Sequence, residues 1–187
     1  MKKTVLTFGL ISGAILSAMM LAMLPFHDAI GFDRGLVVGY TTMVLAFLLV
    51  FFGVRSYRDN VAGGTVRFGR AFTVGALIAA VSSVCYVATW EVVYFNFNPD
   101  FLDKYQAHMI EQARAGGASE AEIAAKQTEM EEFAVMYQNP AINAAFTFLE
   151  PLPVALIVAL VSAGVLSRRK KREEAEAGII PGARLTT

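Results

Sequence analysis

Two carboxylates, Glu91 and Glu150, stand inside long apolar runs and are the only acidic residues so placed. An ionised side chain there is costly, roughly 2.5–3.5 kcal/mol at the centre of a membrane helix and less toward the interface. If the two face each other, one proton or one cation between them relieves their repulsion. That is the chemistry of a proton- or cation-coupled site. Pro151 and Pro153, directly after Glu150, kink the helix and free backbone carbonyls as further ligands. The competing reading keeps both carboxylates at the outer interface, hydrated or bonded to nearby Tyr, Trp or backbone groups.

A second constellation is basic. Arg55, Arg58, Arg67 and Arg70, with Asp59 among them, fall within sixteen residues joining two apolar runs. One reading is topological, with arginines reaching headgroups and anchoring the flanking helices. The sharper reading is contact with an anionic lipid headgroup or another phosphate. No Gly-Lys-Ser/Thr P-loop accompanies them. Arg168, Arg169, Lys170, Lys171 and Arg172 form a basic stop-transfer block after the last apolar run.

Other reactive types are sparse. His27 and His108 lack metal-ligand spacing and read as polar surface, so no metal site is expected. Cys85, the single cysteine, excludes an intrachain disulfide and reads as a small buried hydrophobe. No Ser/His/Asp or Cys/His arrangement and no nucleotide motif is visible, so neither enzymatic activity nor a cofactor is expected. A lipid-modifying enzyme, the third reading of function, would call for interfacial His, Asp or Lys clusters that are missing.

The elements that position these residues follow from hydropathy. The 187 residues are 56% hydrophobic, above the roughly 45–50% of soluble domains. Four apolar segments, at about 4–25, 35–54, 71–95 and 141–166, are each long enough to cross a ~30 Å hydrocarbon core. The chain is therefore read as all-α: a four-transmembrane-helix bundle with two polar external helices between helices three and four. Residues 1–172 form a single membrane domain and 173–187 a cytoplasmic tail without fixed structure. The first run exceeds a signal-peptide core and lacks a clean cleavage site, which makes it a retained span. Residues 27–34 form a loop after Pro25.

Small residues recur every four positions in each span: Gly9, Gly13 and Ser17; Gly35 and Gly39; Gly75, Ala79 and Ser83; Ala155, Ala159 and Ala163. Such stripes let helix backbones approach closely. Tyr40, Trp90, Tyr94 and Phe95 form outer aromatic belts. In the external segment 98–139, Asn98-Pro99 suits a helix start, and Ser119 with Glu122 three residues on is a capping-box signature. Phe101, Tyr105, Met109 and Ala113 share a face of the first external helix. Ile123, Met130, Phe133 and Met136 do so in the second. These faces either cover the mouth of the bundle or lie on the membrane.

Orientation follows from charge. With both termini and the arginine hairpin inside, 12 of the 16 basic residues are inside; ten acidic residues are outside, four inside and two within spans. Lys and Arg are retained on the cytoplasmic side, so the chain reads as N-in and C-in. The external segment has eight acidic residues against Lys104, Arg114 and Lys126, a surface suited to a protein partner. The zero net charge gives no basis for nucleic-acid binding.

The segments GVRSYRDN, GGTVRFGRAFTVG, YVATWEVVYFNFNPDFLDKY and EPLPVALIVALVSAGVLSRRKK, in this order and spacing, resemble a family of small bacterial integral-membrane proteins of unknown function, number 4199 of the domain-of-unknown-function series. The resemblance spans nearly the whole chain and implies four transmembrane helices in the bacterial inner membrane. It implies no activity or substrate. The expected function is non-enzymatic, a membrane interaction or scaffold protein partnered by the lipid bilayer, with homo-oligomers as a further form. The alternative is a small proton- or cation-coupled transporter, or a subunit of one, using Glu91 and Glu150.

Overall fold

The structure, a computed structural model, describes the backbone of residues 1–177 and the side chains of 1–26 and 29–167. Seven helices follow one another: α1 (Lys2–Met23), α2 (His27–Asn60), α3 (Phe68–Asn96), α4 (Phe101–Ala115), α5 (Glu120–Tyr137), α6 (Pro140–Leu149) and α7 (Leu152–Ala177), with one 3-10 turn at Leu24–Phe26. No strand occurs among the described residues. Four stretches, Lys2–Phe26, Ala29–Asn60, Phe68–Asn96 and Pro140–Ser167, are long and apolar enough to cross a membrane. Large apolar side chains such as Leu10, Leu45, Val84 and Ile157 point outward and are exposed. A continuous apolar exterior of this kind suits lipid rather than water.

The small-residue stripes of α1, α3 and α7 are where the backbones meet. A Cβ on Gly9 would lie 2.7 Å from Val81, and one on Gly13 would lie 2.6 Å from Cys85 Cβ. α1 and α3 thus run parallel, in contact along the line Gly9, Gly13 and Ser17. Polar bonds follow the same line. The Ser82 hydroxyl lies 3.1 Å from the Gly9 carbonyl, and Thr89 Oγ1 lies 2.7 Å from Ser17 Oγ. Ser12 donates across to the Ala46 carbonyl of α2 at 3.0 Å. Such interhelical bonds contribute about 0.6 kcal/mol each in membrane helices. On its other side α3 meets α7, where Gly75 faces Ala159 and also Val50 and Val54 of α2. Ala155, Ala159 and Ala163 are all buried.

These contacts place the start of α1, the α2–α3 hairpin and Leu166 of α7 at one end of the bundle, and α4, α5 and α6 at the other. Phe47, Val50, Val54, Val74 and Ile78 are fully buried and close the hairpin half.

Three local features depart from the sequence reading. The connection after Pro25 is mostly helical: α2 starts at His27 and is broken only at Gly31, with φ 74° and ψ 166°. That region of backbone space is essentially restricted to glycine. At the other end α2 runs on to Asn60, so Arg55 and Arg58 belong to its final turns rather than to a loop. A helix need not stop at the hydrocarbon boundary, and the turn is made by Gly63 and Gly64, both at positive φ. Finally, α4 starts after Asp100, not Asn98; the Asn98 carbonyl instead accepts from Phe101 N at 3.2 Å.

Candidate functional site

At the end of the bundle away from the hairpin the helices enclose a space. A cavity of about 510 Å³ lies between α1, α2 and α3, with α4 over it and Glu150 in its wall. Its size falls within the roughly 300–1,000 Å³ of small-molecule pockets. The wall is mostly apolar. Met19, Met20, Met23, Met43 and Met109 line it, five of the eight methionines in the chain. Gly35 and Gly39 also line it, and a Cβ built on either would meet nothing within 4 Å. This stripe is therefore not a packing face like the others. It is a stretch of bare wall.

Glu150 sits at the break between α6 and α7. Pro151 and Pro153 lack the N–H groups that would continue α6, so the helix ends at Leu149 and restarts at Leu152. Pro151 is buried and Pro153 exposed. The break presents the Glu150 side chain to the cavity, where the Tyr86 hydroxyl donates to Oε2 at 2.9 Å. Tyr40, Tyr86, Trp90 and Tyr137 line the same space.

Glu91 is placed differently. It lies five residues after Tyr86, about 140° around α3 at 100° per residue, and is not part of the cavity wall. It is half-buried, and Oε1 is buried with no hydrogen-bond partner among the described residues. The two carboxylates therefore do not share the cavity, but Tyr137 feels both. Burial is the main cause raising the Tyr137 phenol above its ordinary value; hydrogen bonds with Thr147 and Trp90 oppose the rise, and the charges of Glu150 and Glu91 add to it.

Tyr137 also ties the outer helices together. Trp90 Nε1 donates to its hydroxyl at 3.0 Å, which lies 3.2 Å from Thr147 Oγ1. Thr147 donates to Asn143 Oδ1 at 3.3 Å, and Asn143 Nδ2 returns to the Tyr137 carbonyl at 3.4 Å. Asn143 is fully buried, so this closed ring answers its hydrogen-bonding need. Phe133 packs on Tyr137 at 5.2 Å between centroids. The buried face of α5 thus runs through Ile123, Phe133 and Tyr137, while Met136 is exposed.

The roof is held by α2 and α3. Phe101 meets Trp90 edge to face at 5.0 Å, and Phe32 contacts Phe101, Tyr105 and His108 of α4. Asp33 accepts from Gln112 at 3.0 Å and lies 3.3 Å from His108 Nε2. No cluster that could hold a metal occurs among the described residues. At the start of α5, Ser119 and Glu122 form the full capping box, and those bonds hold the Glu122 carboxyl below its ordinary value.

At the hairpin the four arginines divide. Arg58 is buried, with Nε donating to Asp59 Oδ1 at 2.6 Å. Arg55 lies 3.7 Å from Asp59, and Arg55, Arg67 and Arg70 are exposed. The side chains of Arg168, Arg169, Lys170, Lys171 and Arg172 lie outside the described residues, as do the side chain of His27 and the chain from 178 onward.

The methionine wall was missed by sequence reasoning. Its signal is the change from Gly9, Gly13 and Ser17 to Met19, Met20 and Met23, where small residues give way to long flexible ones within one helix.

Fold and site together define an all-helical protein with four membrane-length helices and a covered apolar cavity at one end. The profile of a family described as "Protein of unknown function (DUF4199)" matches residues 7–168. The chain belongs to that family. No curated protein and no solved structure matches it.

Proposed function

We propose that this chain is a non-enzymatic protein of the bacterial inner membrane that holds a hydrophobic small molecule in its covered cavity. The observation that carries this reading is the cavity of about 510 Å³ with a methionine-rich wall. Methionine side chains are unbranched and polarizable and adapt to varied apolar shapes. The distribution of Lys and Arg supports an N-in, C-in orientation, which sets the cavity in the outer half of the membrane. The exposed Arg55, Arg67 and Arg70 then face anionic headgroups of the inner leaflet.

Photolabelling with a small neutral aryl diazirine in phosphatidylcholine nanodiscs tests the reading. Labelling of Met20, Met43 and Met109 saturates with probe concentration, whereas labelling of outward-facing Leu45 rises linearly. Gly39→Leu, which fills open wall, removes the saturable part and leaves Leu45 unchanged. Linear labelling at every site would refute the cavity as a binding site.

Transport coupled to Glu91 and Glu150 is the second reading, favoured by Oε1 of Glu91, buried without a hydrogen-bond partner among the described residues, and by Glu150 in the cavity wall. It requires that Glu91→Gln and Glu150→Gln each abolish ion-driven uptake in proteoliposomes. Loss in only one of them refutes a paired site.

A further inference from the structure

The cavity is apolar in bulk but not neutral in charge. Its lining residues include Glu150 and Asp33, the latter engaged by Gln112 and His108, and, among the described residues, no lysine or arginine; Arg34 and Lys104 line an adjoining hollow beyond Asp33. Among the described residues Glu150 has one hydrogen-bond partner, the Tyr86 hydroxyl on Oε2. Aromatic side chains share the space: Tyr86, Trp90, Tyr137 and Tyr40 line it, and Trp90 and Tyr137 are fixed by their mutual hydrogen bond. Aromatic faces attract a cation through the ring quadrupole, most strongly when water is excluded. Glu150 is exposed to the cavity rather than packed among side chains, and a carboxylate without a basic partner attracts a positive counter-charge.

We infer that the occupant of the cavity is a hydrophobic organic cation, with Glu150 as its counter-charge and the surrounding tyrosine and tryptophan rings as its cage. The inference rests on the cavity-binding reading above. Inorganic cations fit the site poorly, because a bare metal ion needs a cluster of ligands to replace its hydration shell, and no cluster that could hold one occurs among the described residues. A bulky cation with apolar substituents loses little hydration on entry and fills the methionine-lined volume. Anions and neutral molecules of the same shape lack the attraction to Glu150.

Tetraphenylphosphonium and tetraphenylborate, ions of nearly the same shape and opposite charge, separate the possibilities. Binding of each to the full-length protein in phosphatidylcholine nanodiscs is measured by equilibrium dialysis, with empty nanodiscs subtracted. Saturable binding of tetraphenylphosphonium at one site is expected. Glu150→Gln, which keeps an acceptor for Tyr86, weakens it at least tenfold, whereas Glu150→Asp retains most of it. Gly39→Leu abolishes it while the carboxylate stays in place. If tetraphenylborate binds as tightly, or if a folded Glu150→Gln protein keeps full affinity for tetraphenylphosphonium, the cation assignment is overturned and the cavity reading stands. If neither ion binds saturably and the diazirine labelling is linear, both fall.

Discussion

Gly13 offers the sharpest test of how the helices are held. An alanine Cβ there would lie 2.6 Å from Cys85 Cβ, 2.8 Å from Cys85 Sγ and 3.4 Å from Ser82 Cα. Carbon atoms in good contact sit at about 3.5–4.0 Å, so α1 and α3 must part locally by about 1 Å. A gap of that size forfeits a quarter to a half of the attraction between facing atoms. Overpacking of this kind costs about 1–3 kcal/mol. Alanine recovers about 1 kcal/mol over glycine through helix propensity, leaving a net loss of about 0–2 kcal/mol against wild type and about 1–3 kcal/mol against Gly39→Ala, which gains the same propensity. The partner substitution is specific. Cys85→Ala removes only Sγ and leaves the Cβ clash, so it does not rescue Gly13→Ala. Cys85→Gly removes both atoms and does, with a coupling of roughly 0.5–3 kcal/mol in a double-mutant cycle. Reversible unfolding in mixed micelles supplies the free energies, and Gly39→Ala, with nothing within 4 Å, is the control. If Gly13→Ala is no less stable than Gly39→Ala, the close α1–α3 contact is refuted.

Three further outcomes follow from local geometry. Gly31→Ala should lower stability by about 1–3 kcal/mol although nothing lies within 4 Å, because φ 74° and ψ 166° strain any side-chain-bearing residue; an unchanged unfolding curve would contradict this. Ser119→Ala should cost about 0.5–2 kcal/mol through loss of the α5 cap. The Glu122 carboxyl is held below its ordinary value by its bonds to Ser119, so its contribution is present above pH ~4.3 and lost as pH falls through the folded value. Far-ultraviolet circular dichroism on acidification should show less helix lost in Ser119→Ala than in wild type. Tyr137, raised chiefly by burial, behaves in the opposite sense: its contribution is complete below pH ~10 and is lost as pH rises through the folded value. The stability advantage of wild type over Tyr137→Phe should therefore shrink above pH 10, and a constant advantage up to pH 12 would count against burial of the phenol.

The packing of α1 on α3 was legible in the spacing of Gly9, Gly13 and Ser17, because a four-residue period of small side chains permits one kind of contact wherever a helix lies opposite. The same period at Gly35 and Gly39 misled. Spacing describes the face a helix offers, and nothing local to α2 reveals that the facing volume is unfilled. Ser119 and Glu122 were readable for the opposite reason, since a capping box is complete within four residues. Gly31 was not, because its positive φ depends on how α1 and α4 constrain the chain on either side. Glu91 and Glu150 stand out in the sequence as the acidic residues within apolar runs. Their relative direction depends on the register of α3 against the α6–α7 break, which the sequence does not contain.

The cavity and the tight half of the bundle have a common origin. Along the line Gly9, Gly13 and Ser17, α1 has no side chain large enough to hold α3 away. From Met19 onward it has three that are, and α2 opposite offers the bare backbone of Gly35 and Gly39. The cavity begins where the stripe ends, and α4 lies over it. Toward the hairpin the bundle closes again over Phe47, Val50, Val54, Val74 and Ile78, all fully buried. A ligand in the cavity therefore meets a packed floor rather than a continuing path. Carrying it across would require α1 to leave α3 at Gly9 and Gly13, which is the contact that Gly13→Ala strains. If the protein binds and releases its ligand on one side, Gly13→Ala should weaken stability and leave the affinity for tetraphenylphosphonium within about twofold. If that contact opens during transport, the same substitution should change the uptake rate by more than it changes affinity.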